Sequence, residues 1–350
     1  MQPWIREQDI NIVIPNYNGK DFLRTCLASI QGQTCSSYLV TVVDNGSADG
    51  SVEFIRDRYP AIRLIVLPAN KGFSAAVNAG IDSSAHPFVF LLNNDTELAA
   101  DCLEQLLRAA AARPEFDFFA PKMLSYHERD ILDGAGDGFL RGGAGYRLGT
   151  MEKDGEAYNR PGPVFGACGG AALYRRSLFE RLGSFDDDFF AYLEDVDLNL
   201  RANRAGLRCF YVPGAVVYHI GSATTGSRFN ELTIRLSTRN SFYVLLKNYS
   251  LPLFLRFFPV ICVYQFFWFL FVVKKRQLRP YLAGLLQAAG SLPRMRKKYR
   301  ALRRNDRLTT TELARCLGGA ERRVIESIMR RRREQGRGNM LLLTYRFLFL

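Results

Sequence analysis

The stretch FFAYLEDVDLNLRANRAG, residues 189–206, runs from an aromatic approach straight into Glu194, Asp195 and Asp197. Three carboxylates in four positions repel one another unless a cation or a proton-transfer task puts them to use. The same residues also read as an ordinary helix start. Leu193, Val196 and Leu200 recur at helical spacing, Asp197 and Arg201 stand four apart, and Gly206 falls where a helix ends. Acids in a first turn are favoured by the helix dipole. Taken alone, the stretch supports capping and catalysis equally.

The elements that must position these residues come from the rest of the chain. INIVIPNYN reads as a buried strand stopped at Pro15 and Asn16, with a helix over 22–31 behind it. YLVTVVD, IRLIV and PFVFLL repeat the pattern, each followed by a helical stretch. Strand and helix alternating through short connections predict an α/β sheet with parallel strands, which binds ligands beyond the strands' carboxyl ends. Pro15-Asn16-Tyr17, Asp44-Asn45, Asn70-Lys71-Gly72 and Asn93-Asn94-Asp95 each follow a predicted strand. All four clusters are therefore expected on one edge. No GxGxxG and no GxxxxGK[ST] is present, which argues against a dinucleotide-binding dehydrogenase and a P-loop nucleotidase. From 116 to about 166 the pattern loosens, and the Gly-rich DGAGDGFLRGGAGYRLG is expected to be a mobile loop. LRCFYVPGAVVYHIGS reads as two short strands with His219 ending the second.

At 350 residues and 48% hydrophobic content the chain has ample material for a core, and global disorder is excluded. The net charge of +13 is uneven: the chain carries −3 before Lys274 and +16 from there on. Residues 257–273, FFPVICVYQFFWFLFVV, are 17 uncharged residues abutting KKRQLR. An aromatic apolar run against a basic block predicts an interfacial or re-entrant anchor on an anionic membrane surface, with a buried helix pair under a solvated basic face as the alternative. No nucleic-acid module is present, so no nucleic-acid partner is expected. Seven cysteines with no CxxC pair predict reduced thiols, and Met1–Asp9 is too short and polar for a signal peptide. Together these lead to the expectation of a chain at the cytoplasmic side of a membrane.

The ordered set VIPNYN, VVDNGSADGS, ANKGFSAAVNAGI, LLNNDTEL, GACGGAALYRRSLFERLGSFDDDFFAYLEDVDLNLRANRAG and VVYHIGS resembles the family 2 glycosyltransferases of the GT-A fold, and among them the bacterial rhamnosyltransferase-like branch. The resemblance covers about 10–225. It implies a catalytic domain over 1–225, built on a Rossmann-like, mixed but mainly parallel sheet with flanking helices, and a helical membrane-associating region over 226–350. It implies an inverting, non-processive transfer of one sugar from a UDP- or dTDP-linked donor, dTDP-rhamnose among them, to a lipid-linked or cell-envelope glycan at the cytoplasmic face of the bacterial inner membrane. The processive synthases' QxxRW element is absent, with LNLRAN in its region.

Carried over residue by residue, the resemblance makes Asp195 the catalytic base and Glu194 its supporting neighbour, positioning the acceptor or raising the pKa of Asp195. It puts Pro15, Tyr17, Asp44, Asn70, Asn78 and Asn94 at the nucleotide. Asp95, the last residue of the family's DxD element, and His219 become ligands of Mg²⁺ or Mn²⁺, hard ions suited to oxygen donors. Here that element is NND, with Asn93 and Asn94 in place of an acidic partner. Two other readings compete: a sugar nucleotidyltransferase, for which PNYNGKDF is a poor match, and a non-catalytic nucleotide- or membrane-binding scaffold.

Overall fold

The alternating Ile and Val of β1 (Ile10–Asn16) send their side chains to opposite faces of a sheet, and a helix layer covers each face. The computed structural model describes residues 10–36, 38–221 and 230–350. The first half alternates as its pattern predicts: α1 (Lys20–Gln31), β2 (Tyr38–Asp44), α2 (Ser51–Arg58), β3 (Arg63–Val66), α3 (Phe73–Asp82), β4 (Phe88–Leu92), β5 (Thr96–Leu98) and α4 (Cys102–Ala112). There follow β6 (Phe118–Ser125), β7 (Leu132–Ala135), β8 (Asp137–Leu140), β9 (Ala144–Arg147), β10 (Gly162–Val164), β11 (Ala171–Arg175), α5 (Arg176–Leu182), α6 (Glu194–Arg204) and β12 (Cys209–His219).

The sheet order is β10-β12-β6-β11-β4-β1-β2-β3, with β5 added to β12 and β7 to β6. β4, β1, β2 and β3 run parallel, as do β6 and β12, while β11 lies antiparallel between β4 and β6. The expected mixed, mainly parallel sheet with flanking helices is present. Ile10, Ile12 and Ile14 pack with Leu23, Cys26 and Leu27 of α1 on one face, and Val13 packs with Val77 and Ile81 of α3 on the other.

Two expectations need correction. The Gly-rich stretch is not a loose loop but the ordered strands β7, β8 and β9, with β8 and β9 forming a hairpin. Its glycines serve close packing: a Cβ on Gly142 would stand 2.3 Å from the Tyr264 side chain, and one on Gly145 would stand 2.5 Å from that of Val196. The pair of short strands before His219 is one strand, β12, whose register against β6 shifts between Val212 and Val216 where Pro213-Gly214 interrupts it. Proline removes a ladder donor, so a bulge at that point keeps the strand whole.

The C-terminal part is helical: α7 (Glu231–Asn248), α8 (Leu251–Lys274), α9 (Leu278–Gly290), α10 (Leu292–Leu302), α11 (Thr310–Glu334) and α12 (Met340–Phe349). The boundary expected between 225 and 226, like Met1–Asp9, falls outside the described residues. The helices join the α/β part in a third core, where Phe139, Phe189, Val196 and Leu200 meet Tyr243, Val244, Phe257, Met295 and Leu317. Helix α8 is long and apolar enough to cross a membrane, with mean hydropathy 1.8 over its most apolar window, 22% of it buried. Tyr264 and Trp268 lie on its inner side, whereas Phe266, Phe267 and Leu270 are 57%, 45% and 43% exposed.

Candidate active site

The carboxyl ends of β1, β3 and β4 open onto a cavity of about 860 Å³. Its wall includes Pro15, Tyr17, Asn70, Asn94, Asp95, Glu194, Asp195 and His219, so eight of the residues singled out from sequence converge. The strand-end asparagines build a rigid polar rim. Asn94 donates to Asn16 Oδ1 at 2.7 Å, and Asn45 donates to Asn70 Oδ1 and to the Gly72 carbonyl, each at 3.1 Å.

Two expected nucleotide contacts stand off this wall. Asp44 is fully buried, with one oxygen accepting from Asn16 at 3.0 Å and the other from the Ser47 amide at 2.9 Å, so it organises the turn after β2. Asn78 donates to the Phe185 carbonyl and to Asp187 and accepts from the Phe185 amide, which ties α3 to the turn before α6.

Asp195 opens α6, and its carboxylate is fixed by two main-chain amides, Gly169 at 2.9 Å and Val196 at 2.8 Å. The segment before it is strained: Phe190, Tyr192 and Leu193 have φ of 64°, 70° and 65°, a region non-glycine residues rarely occupy. Asn240 of α7 holds it there by donating to the carbonyls of Phe189, Ala191 and Tyr192 at 2.7–3.0 Å, and Arg239 donates to those of Asp188 and Phe189. Asp197 takes no part in the cavity. It is paired with Arg201, as its spacing predicts, and also with Lys247 of α7. Gly206 has φ +73° after the last turn of α6, as a helix-ending glycine should.

Glu194 precedes Asp195 on the cavity wall and is buried. Burial first, and then the nearby Asp195 and Asp197, push its own carboxyl up to about 8, and its Oε2 has no hydrogen-bond partner among the described residues. His219 ends β12 beside Asp95, with Nε2 3.4 Å from Asp95 Oδ1, while Nδ1 is bonded to Asp133 of β7 at 2.7 Å. Burial works against protonation of the imidazole, but the bonds to Asp133 and Asp95 outweigh it and raise His219 to about 9. Asp133 in turn pairs with Arg147 of β9.

Sequence reasoning missed Asp133, Asp137, Arg147 and Cys168, all on the cavity wall. Ligand atoms of Asp137, Cys168 and Asp195 lie within 4.8 Å of one another. Burial, followed by the charge of Asp195, raises the Asp137 carboxyl well above its usual range. Also unforeseen, Leu232, Thr233, Ser237, Tyr264 and Trp268 bring α7 and α8 into the wall.

Residues 11–183 match the family model "Glycosyl transferase family 2". Over 237 residues, 61% of this chain and 77% of the relative, the sequence is 30% identical to N-acetylglucosaminyl-diphospho-decaprenol L-rhamnosyltransferase of Mycobacterium tuberculosis. This chain is a family 2 glycosyltransferase.

The glycosyltransferase is also 30% identical over 226 residues to an N-acetylglucosaminyltransferase of Rhizobium meliloti, a match over 59% of the chain and 50% of that relative. The fold is shared with a crystal structure of GalNAc-T7 with UDP, GalNAc and Mn²⁺, at TM-score 0.57 and 15% identity, over 69% of this chain and 48% of that one. At such identity the likeness concerns architecture alone, and it identifies the glycosyltransferase's sheet and helices as a GT-A fold. The family match spans Asp95 and ends before Glu194, Asp195 and His219.

Proposed function

We propose that this glycosyltransferase moves one sugar from a nucleotide diphosphate donor, UDP- or dTDP-linked with dTDP-rhamnose the first to try, onto a lipid-linked or cell-envelope glycan in a single inverting displacement. The observation that carries the reading is Asp195, a carboxylate held by the Gly169 and Val196 amides on the cavity wall that also bears Asp95 and His219. Amides that fix a carboxylate leave its remaining lone pairs to accept a proton in a set direction. Asp195 takes the proton of the acceptor hydroxyl as that oxygen bonds to the anomeric carbon. The bond from that carbon to the diphosphate breaks with its electron pair leaving on phosphate oxygen. Attack opposite the leaving group inverts the configuration.

Pro15, Tyr17, Asn70 and Asn94 are the wall residues suited to the nucleotide. Asp95 and His219 suit a divalent ion, Mg²⁺ or Mn²⁺: the bond from Asp133 occupies Nδ1 of His219 and leaves Nε2 turned to the Asp95 carboxylate, the outer support that metal-binding histidines commonly have. Held by Asp95 and His219, a divalent ion would supply positive charge against that developing on the diphosphate. The exposed aromatic face of α8 and the +16 charge from Lys274 onward support association with an anionic membrane surface, on the cytoplasmic side of the bacterial inner membrane.

The test is nucleoside diphosphate release from UDP-, dTDP- and GDP-sugars with Mg²⁺ or Mn²⁺ and membrane lipid extract. Metal-dependent release with one donor is expected, reduced about 10²–10⁴-fold in Asp195→Asn with donor affinity kept. Unchanged release in the variant removes Asp195 from its role. Pyrophosphate as the product would favour nucleotidyl transfer.

A further inference from the structure

The cavity has two chemically different walls. The strand-end wall is polar, with Asn45, Asn70, Asn94 and Asp95, and suits a diphosphate with its countercharge. The wall from α7 and α8 carries the rings of Tyr264 and Trp268 and the side chain of Leu232, beside the hydroxyls of Thr233 and Ser237, and no charged group. The indole of Trp268 is immobilised. Its Nε1 donates to Thr238 at 2.9 Å, and the Phe271 ring stacks on it with centroids 5.5 Å apart and planes 21° apart. Tyr264 is seated against Gly142 of the β8–β9 hairpin, where no side chain would fit between them. Both residues line the cavity one helical turn apart on α8, an aromatic platform suited to the apolar face of a pyranose. On the other side of the same helix Phe266, Phe267 and Leu270 are exposed, so the platform and the apolar surface are back to back.

We propose that Tyr264 and Trp268 form the acceptor subsite, taking the sugar of a lipid-linked acceptor while its lipid stays on the apolar outer face of α8. The proposal rests on the glycosyl-transfer reading above and adds to it the acceptor's place and direction of entry. Its charge logic is consistent: Lys274, Lys275 and Arg276 follow the exposed rings directly, where an anionic lipid head group would lie.

Trp4 and Trp268 are the two tryptophans of the chain, so Trp4→Phe leaves the proposed platform as the sole indole fluorophore. This chain is titrated with phosphatidylglycerol-containing vesicles carrying N-acetylglucosaminyl-diphospho-decaprenol, with the same vesicles lacking it, and with octyl N-acetylglucosaminide. The expected result is a saturable emission change with both sugar probes beyond that caused by plain vesicles. In parallel, Trp268→Leu is compared with the native chain for acceptor KM, acceptor-independent donor hydrolysis and melting temperature. Acceptor KM is expected to rise about tenfold or more while donor hydrolysis stays within about twofold. Phe266→Ser with Phe267→Ser is expected to weaken use of the vesicle-borne acceptor and spare the octyl glycoside.

An emission change identical with plain vesicles overturns the proposal. So does an unchanged acceptor KM in Trp268→Leu, or a fall in donor hydrolysis that matches the loss of transfer. A sugar-specific emission change in a protein that releases no nucleoside diphosphate from any donor would instead sink the transfer reading and leave the subsite standing.

Discussion

Lys247 carries a heavy electrostatic load. Its ammonium, buried in the third core, lies 2.6 Å from Asp197 Oδ2 and 2.7 Å from Asp186 Oδ2. Arg201 also reaches Asp197, at 2.9 Å, and Asn248 donates to its other oxygen at 2.8 Å. Lys298 covers the remaining oxygen of Asp186. Substituting Lys247→Met keeps the aliphatic stem and removes the charge, leaving two buried carboxylates short of one cation. Breaking one partner from a buried pair costs about 3–5 kcal/mol. Because Arg201, Asn248 and Lys298 remain, the lower end applies, about 3 kcal/mol, or roughly 4 °C in Tm for a cooperative unit of 350 residues.

The pH dependence gives an independent check. Burial works against ionisation of Asp197 and Asp186, but Lys247 with Arg201, and Lys247 with Lys298, outweigh it and hold both carboxyls below their usual range. Their stabilisation is therefore full above the unfolded carboxyl value of about 3.9 and is lost as pH falls through the lower folded values. Without Lys247 the folded values rise, so the acid limb of a Tm-versus-pH curve should move to higher pH. Adding Asp186→Asn to Lys247→Met should restore part of the loss. A Lys247→Met protein melting within about 2 °C of native, with an unmoved acid limb, would refute the argument that these charges are interdependent.

Three further outcomes are expected. Asp133→Asn weakens the carboxylate support of His219 and should lower Mn²⁺ affinity about 10–100-fold by calorimetry, with donor-free Tm little changed. Asn240→Ala releases three carbonyls of the strained segment before Asp195 and should lower kcat more than it changes donor Kd; equal effects on both would mean general unfolding. Glu194→Gln removes a carboxyl whose folded value, about 8, lies above the unfolded one, so its contribution to stability is full below about pH 4.3 and is lost as pH rises towards 8. The variant should therefore gain Tm over native as pH goes from 5 to 9, and a parallel pair of curves would deny the raised carboxyl.

What could be read from sequence was local. Pro15, Asn70 and Asp95 are each announced by a strand ending in turn residues, and the topology of a parallel sheet carries those ends to one edge. Asp133 and Asp137 were hidden because the glycines around them imitate a loop, when Gly142 and Gly145 are small to admit Tyr264 and Val196 from distant parts of the chain. No window of sequence contains both members of such a contact. Asp44 and Asn78 show what a strand-end or helix position cannot tell on its own: which neighbouring groups a polar side chain already engages, here Asn16 and the Ser47 amide for Asp44, and Phe185 for Asn78. Trp268 and Tyr264 read as part of one apolar run, because periodicity separates the two sides of α8 only once its neighbours are known.

The third core has a consequence for exchanging parts between relatives. Helix α7 brings Asn240 to the carbonyls before Asp195 and Lys247 to the charges behind it, so the acidic segment takes its shape from chain that follows it in sequence. A chimera joined just after β12 would bring one protein's acidic segment to another's α7 and would need matched partners at both positions. A crossover after α7 keeps those contacts within one parent and leaves α8 to vary with the acceptor.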